Sequence, residues 1–438
     1  MAHTALSISI AFAALLSVSN VLGTEALADI STEAEQEETE TERQERDAEQ
    51  EESEQLDADA DGSLVDVEVS VEEAAGKLGL SFGGDLRSSY AFENRERRDL
   101  SSKDADLFSA RWRVEAGWVI TDYMRAVGRV AGLCTTDDCE PDFILQREIP
   151  TSIGISGGQI TVDELFLHWF RLNRFDLAVG RMQTKFVARG GVYAKSLDRN
   201  DSNNLRVNWT DGLHGTLKMR NAWVSNVIVQ LNSSDGASNV RQAPLDFSDK
   251  DSKLSYFLAL ENREPRGHVL QRGFDISYLP KSLLKDGNAT GRTEDYWGLV
   301  ARGAARWPDR SDGPRLRVSG ELGYAPTTQT RASEGLAGNG DVDGWAWNFT
   351  ASIMNFRPTH SIGINFGRTD AGWLLSPQYG KNEQLFEIRY LWLKNQQLTL
   401  DIRGRWREDL ERLATADRKQ RSFDLYVRVT WGFKSRSF

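Results

Sequence analysis

Arginine is the residue type through which this chain could do chemistry. Arg87, Arg111, Arg113, Arg125, Arg129, Arg302, Arg317, Arg389, Arg403, Arg405 and Arg428 all fall on the polar phase of segments that alternate between apolar and polar residues, and Glu115, Glu164, Glu321, Glu387 and Asp401 share that phase. A guanidinium offers paired donors to a carboxylate or phosphate, and arginine in excess raises the local concentration of anions. The same residues could instead pair with acids on neighbouring strands and only stiffen a wall. Other chemistry finds less support. Hydrolysis needs a Ser or Asp nucleophile with a His held beside it, but His168, His214, His268 and His360 lie on separate segments, with no G-x-S-x-G or H-E-x-x-H around them. No catalytic residue, metal ligand set or cofactor is assigned. Without a C-x-x-C-H motif, a chain acting as the sleeve of an electron conduit would take its haem from another protein. Cys134 and Cys139, the two cysteines of the sequence, are spaced for a small loop disulfide in an oxidising compartment.

The arginines need elements that aim them to one side. From Lys77 to the end the residues alternate with period two, the mark of strands with one apolar and one polar face. Phe423, Leu425, Val427, Val429, Trp431 and Phe433 alternate with Asp424, Tyr426, Arg428, Thr430, Gly432 and Lys434, and the stretches from Phe108 to Ile120 and from Leu398 to Arg407 do the same. Such runs exceed the usual strand of a soluble sheet and suit a tilted membrane strand. Sixteen segments begin near Leu78, Leu107, Tyr123, Ile160, Phe175, Leu205, Ala222, Lys253, Val269, Glu294, Arg315, Asp343, Thr359, Glu383, Gln396 and Arg421. Short connections such as Thr121-Asp122 and Lys394-Asn395 alternate with long ones, expected over 93–106, 133–159, 187–204, 232–252, 280–293, 326–342, 369–382 and 408–420. Short periplasmic turns and longer external loops characterise an up-and-down outer-membrane barrel. Backbone in hydrocarbon must satisfy its own hydrogen bonds, so such strands have to close on themselves. Trp118, Trp169, Trp307 and Trp392 lie near strand ends, as in an interfacial girdle. The expectation is an all-β, transmembrane antiparallel barrel of 16 strands over 77–438, too wide for side chains to fill.

The first 76 residues differ in kind. An uncharged run from Ala5 to Leu16 precedes Ala26-Leu27-Ala28, which reads as a signal peptide of residues 1–28. Residues 29–76 are expected to form a disordered acidic periplasmic tail. Residues 1–76 hold 21 Asp and Glu against Arg43 and Arg46, whereas the remainder has 51 Lys and Arg against 44 Asp and Glu, a balance of +7. The formal charge of −12 therefore belongs to the tail, and nothing in the composition suggests a nucleic-acid partner.

The hairpin Val162-Asp163-Glu164-Leu165-Phe166-Leu167-His168-Trp169-Phe170, followed by Phe175-Asp176-Leu177-Ala178-Val179-Gly180-Arg181 and Lys185-Phe186, resembles the strand pair before the constriction loop of bacterial outer-membrane porins, including the phosphate-selective group. The resemblance implies that the third external loop, 187–204, folds into the lumen and narrows it with Arg189, Tyr193, Lys195, Asp198, Arg199 and Asp201, opposite the basic wall of the early strands. It also implies a homotrimer. The function expected is a passive channel in a Gram-negative outer membrane for small hydrophilic solutes, anion-preferring through its arginines, with outer-membrane lipid as its surroundings. A sleeve for a partner protein is the alternative.

Overall fold

The last strand shows how the wall is built. Leu425, Val429 and Trp431 are 43, 43 and 46 % exposed, whereas Asp424, Arg428 and Thr430 between them are buried. Exposed apolar and buried charged side chains reverse the order of a water-soluble sheet and fit a strand between hydrocarbon and a polar interior. The computed structural model describes residues 79–435 apart from 146–154, 173, 194, 202–204, 233–241, 243, 248–253, 288–291, 309–312 and 396. The signal peptide and acidic tail expected over 1–76 lie outside the described residues.

Sixteen strands make the wall: β1 (Leu80–Glu96), β2 (Ser102–Thr121), β3 (Met124–Thr135), β4 (Gln159–Leu172), β5 (Phe175–Met182), β6 (Thr210–Lys218), β7 (Trp223–Leu231), β8 (Leu254–Asn262), β9 (Val269–Leu284), β10 (Thr293–Trp307), β11 (Arg315–Tyr324), β12 (Trp345–Arg357), β13 (His360–Thr369), β14 (Glu383–Leu393), β15 (Leu398–Asp409) and β16 (Arg421–Ser435). Each pairs antiparallel with the next, and β16 closes on β1 in a register running from Phe82 opposite Ser435 to Glu96 opposite Arg421. The result is a closed antiparallel barrel of sixteen strands. Every strand starts within five residues of the position read from the alternation. Among the described residues no helix is long and apolar enough to cross a membrane.

The parity of connections holds with one correction. The first external loop, expected over 93–106, shrinks to 97–101 because β1 and β2 continue as a ribbon. Asn94 donates to Asp104 across it at 2.6 Å, and Arg98 ties its tip to Asp409 through two bonds of 2.7 and 2.9 Å. Polar residues on both faces of this ribbon erase the alternation that marks a strand. Cys134, the next-to-last residue of β3, is joined to Cys139 in a disulfide, with Cα atoms 4.4 Å apart.

Candidate functional site, an arginine wall facing an infolded loop

Because side chains alternate along each strand, the phase that sends Trp112 and Val114 outward sends Arg111 and Arg113 inward. Arg87, Arg111, Arg113, Arg129, Arg302, Arg317, Arg389, Arg403 and Arg428 are all buried on the inner face, and Arg125 and Arg405 are half-buried there. Carboxylates hold them in a recurring arrangement. Asp85 bridges Arg87 at 3.1 Å and Arg111 at 2.6 Å. Asp163 bridges Arg113 at 2.9 Å and Arg129 at 3.0 Å. Asp401 takes both Nε and Nη2 of Arg389 at 2.8 Å and Nη2 of Arg428 at 2.8 Å. Two guanidiniums repel at these distances unless an anion lies between them, so each shared carboxylate fixes a pair, and the Asp85 and Asp401 groups each set two guanidiniums around one carboxylate. Arg129 is more fully compensated, with Glu164 at 2.9 Å and Glu115 at 3.6 Å. Arg405 pairs with Asp424 at 2.6 Å, Arg403 lies over the Tyr426 ring at 3.9 Å, and Arg125 Nε donates to His168 Nδ1 at 3.1 Å.

The described residues between β5 and β6 enter the barrel, with Lys185 paired to Asn200 and Phe186 to Arg199. The outgoing arm is bolted to the wall from β9 to β14. Gln271 accepts from the Arg189 backbone N–H at 2.8 Å and donates to the Val187 carbonyl at 2.9 Å. Tyr193 OH donates to the Gly363 and Glu387 carbonyls at 2.8 and 3.1 Å, and Lys195 Nζ meets Glu387 Oε2 at 2.8 Å. Glu321 accepts from the Leu197 N–H at 2.9 Å. Asp198 shares Arg302 with Asp275 and Glu321. Arg199 reaches Thr184, Thr210, Gln230 and Asp201 and stacks over Phe257. Burial pushes the Lys195 ammonium down to about 8 against the opposing pull of Glu387, and burial raises the Tyr193 phenol.

A second loop, 370–382, folds inward beside the first. Trp373 Nε1 donates to the Leu197 carbonyl at 2.8 Å, and Tyr379 OH donates to Asn365 at 2.8 Å. Glycines on the inner face are their seats: a Cβ on Gly323 would lie 2.9 Å from Trp373, and one on Gly367 2.5 Å from Tyr379. Phe186, Leu197, Trp373, Leu374, Leu375 and Tyr379 join Ile228, Phe257, Leu279, Tyr296 and Val300 of the wall in an apolar core inside the barrel. The polar interior expected around the whole circumference is thus interrupted on the β7–β10 side by this apolar core, while β11 to β13 still turn Arg315, Arg317, Ser319, Thr350 and Asn365 inward. Apolar residues at consecutive positions announce this: Val227-Ile228-Val229 and Tyr256-Phe257-Leu258-Ala259-Leu260 read as strands covered on both faces.

The residues named from sequence therefore form two groups that face different partners. Tyr193, Lys195, Asp198, Arg199 and Asp201 are at most 6 % exposed and turned into packing, with Arg189 half-buried. Asp85, Asp163 and Asp424 were missed as wall residues; Asp85 and Asp424 share the inward phase with Arg87 and Arg428, and Asp163 sits in a bulge that shifts the phase between β3 and β4. The histidines are dispersed: His214 bonds Asn226 at 3.2 Å, and His268 and His360 stack on Trp307 and Trp392 near the turn end.

No family model matches the sequence. No curated protein matches it either. Solved structures do share the architecture. OprB of Pseudomonas putida superposes with a TM-score of 0.54 at 11 % identity, over 81 % of this chain and 94 % of that one. The closed-barrel fold is shared between the two. OccK8 (OprE) of Pseudomonas aeruginosa gives 0.50 at 13 % identity, over 82 % of this chain and 98 % of that one. OccAB4 of Acinetobacter baumannii gives 0.50 at 10 % identity, over 82 % and 100 %. Identities this low carry the fold and no more.

Proposed function

We propose that the chain is a passive outer-membrane diffusion channel for small hydrophilic solutes, with a preference for anions, rather than an enzyme. The carrying observation is the wall in which Asp85 and Asp401 are each shared by two arginines, Arg87 with Arg111 and Arg389 with Arg428. Stiffening and selectivity are then one device: the carboxylate fixes the guanidiniums, and the charge left over acts on ions passing between the wall and the infolded loop. Inorganic phosphate, from the phosphate-selective resemblance, is one solute to test beside sugars and amino acids. Export through residues 1–28, an acidic periplasmic segment over 29–76 and a homotrimer belong to the same reading, and chemical cross-linking in membranes tests the last of these.

Conductance across planar bilayers under a salt gradient tests the function. Stable ohmic steps with an anion-side reversal potential are expected, and charge reversal at Arg111, Arg113, Arg125 and Arg129 moves that potential toward cations. An unchanged potential refutes the assignment of selectivity to this wall, and a silent bilayer refutes the channel.

A further inference from the structure

The inner faces of β16, β1 and β2 are covered more deeply than the infolded loops account for. Arg111 is 0 % exposed, and Arg87, Ser89, Arg113 and Arg428 are at most 6 % exposed. The loop anchors described above fall on β6 to β14, and Val207 and Trp209 pack against Ala131 of β3. Gly83 sharpens the point. It is buried on the inner phase of β1, yet among the described residues a Cβ there would meet only the Phe433 carbonyl, at 3.4 Å. Together with Gly117, opposite Ser81, and Gly432, opposite Asp85, it makes a lane without side chains at the turn end of β16, β1 and β2. Glycine inside a strand often marks the close approach of another backbone.

The lane begins where the chain enters β1, and the sequence just before that point has the chemistry to fill it. Residues 51–76 carry ten acidic and no basic side chains, and Val65-Asp66-Val67-Glu68-Val69-Ser70-Val71-Glu72 alternates with period two. Extended, this stretch sets Asp66 and Glu68 at the same spacing as Arg111 and Arg113, two residues apart on β2. Arg113 stands opposite Asp85, roughly 17 Å along β1 from Leu80. The chain between Glu72 and Leu80 reaches at most about 29 Å, enough to turn at the rim and return to that height. Tethering to β1 keeps the effective concentration high, so weak ion pairs suffice. We infer that Val65–Glu72 docks back along the glycine lane with its carboxylates toward the arginines of β2 and β16, and so plugs its own barrel from the turn end. The docking stands on burial, reach and charge, and the plugging rests on the channel reading given above.

The test places a thiol under the docked segment. Ser89→Cys is introduced into the full chain, whose own two cysteines are paired, and its reaction with a water-soluble methanethiosulfonate is timed in membranes. Labelling is slow in that chain and about tenfold faster once Asp66→Asn, Glu68→Gln and Glu72→Gln are added, because three ion pairs at a wet surface are lost together. Deletion of 51–76 speeds it at least as much, and in planar bilayers both changes raise the unitary current. Equal labelling of the native, neutralised and shortened chains, fast or slow, refutes the docking and leaves the channel to its own conductance test. Faster labelling without a larger current keeps the docking and refutes the plug. Faster labelling in chains that pass no current keeps the docking and overturns the channel reading. Should Ser89→Cys not assemble, Thr430→Cys on the neighbouring β16, opposite Arg87, decides in its place.

Discussion

Asp401→Asn separates the two things a paired arginine can do. Asp401 is fully buried and takes three bonds of 2.8 Å from Arg389 and Arg428. Removing one partner of a buried ion pair costs about 3 to 5 kcal/mol, and the lower end applies here because the amide still accepts one bond and both arginines border a polar lumen. The same substitution adds one positive charge to the wall. An ion about 6 Å away in water feels about 0.7 kcal/mol from a unit charge, and about half of that after screening by salt. A shift of about 0.4 kcal/mol is a factor of about two for an anion and the inverse for a cation, so the permeability ratio rises roughly fourfold toward anions. Urea unfolding of the refolded protein measures the first effect and bilayer reversal potentials the second. A variant that is destabilised yet unchanged in selectivity refutes the idea that the residual charge of the shared-carboxylate clusters reaches the conducting path. A shift toward cations refutes the sign of the whole assignment.

Three further outcomes follow from the same geometry. Gly367→Val forces Tyr379 from its seat, where a Cβ would lie 2.5 Å from the ring, and should cost about 1 to 3 kcal/mol with added open-channel noise from a loosened loop; a quiet channel of native stability would show the seat to be dispensable. The folded chain releases the Lys195 proton at about 8, whereas the unfolded value is 10.5, so unfolding between those values takes up a proton and this group's contribution to stability rises with pH across that window. Lys195→Met removes that rise, and parallel urea midpoints for both proteins from pH 8 to 10 would contradict it. Mass spectrometry of the protein exported by a Gram-negative host should give Asp29 as its first residue, and a mature chain beginning at Met1 would overturn the assignment of residues 1–28 as a signal peptide.

The sequence by itself determined the strand count, the strand starts and the parity of the connections. It could do so because each of these follows from a local rule: a strand between hydrocarbon and a polar lumen must alternate, and each lipid-facing residue fixes the direction of its neighbours. The first external loop was misjudged where that rule lapses, since the ribbon of β1 and β2 beyond Asn94 has water on both faces. What the tertiary structure alone decided is which charges meet. Tyr193 and Lys195 read as pore-lining because they are polar and sit in the right loop, yet they are spent on Gly363 and Glu387, about 170 and 190 residues away in the chain. Asp401 gains its role from Arg428 only because β15 and β16 pair in one register. Such contacts depend on strand register, on glycine seats at Gly323 and Gly367, and on two loops converging inside a closed wall. No periodicity records these, because they join residues distant in sequence whose separate neighbourhoods look alike.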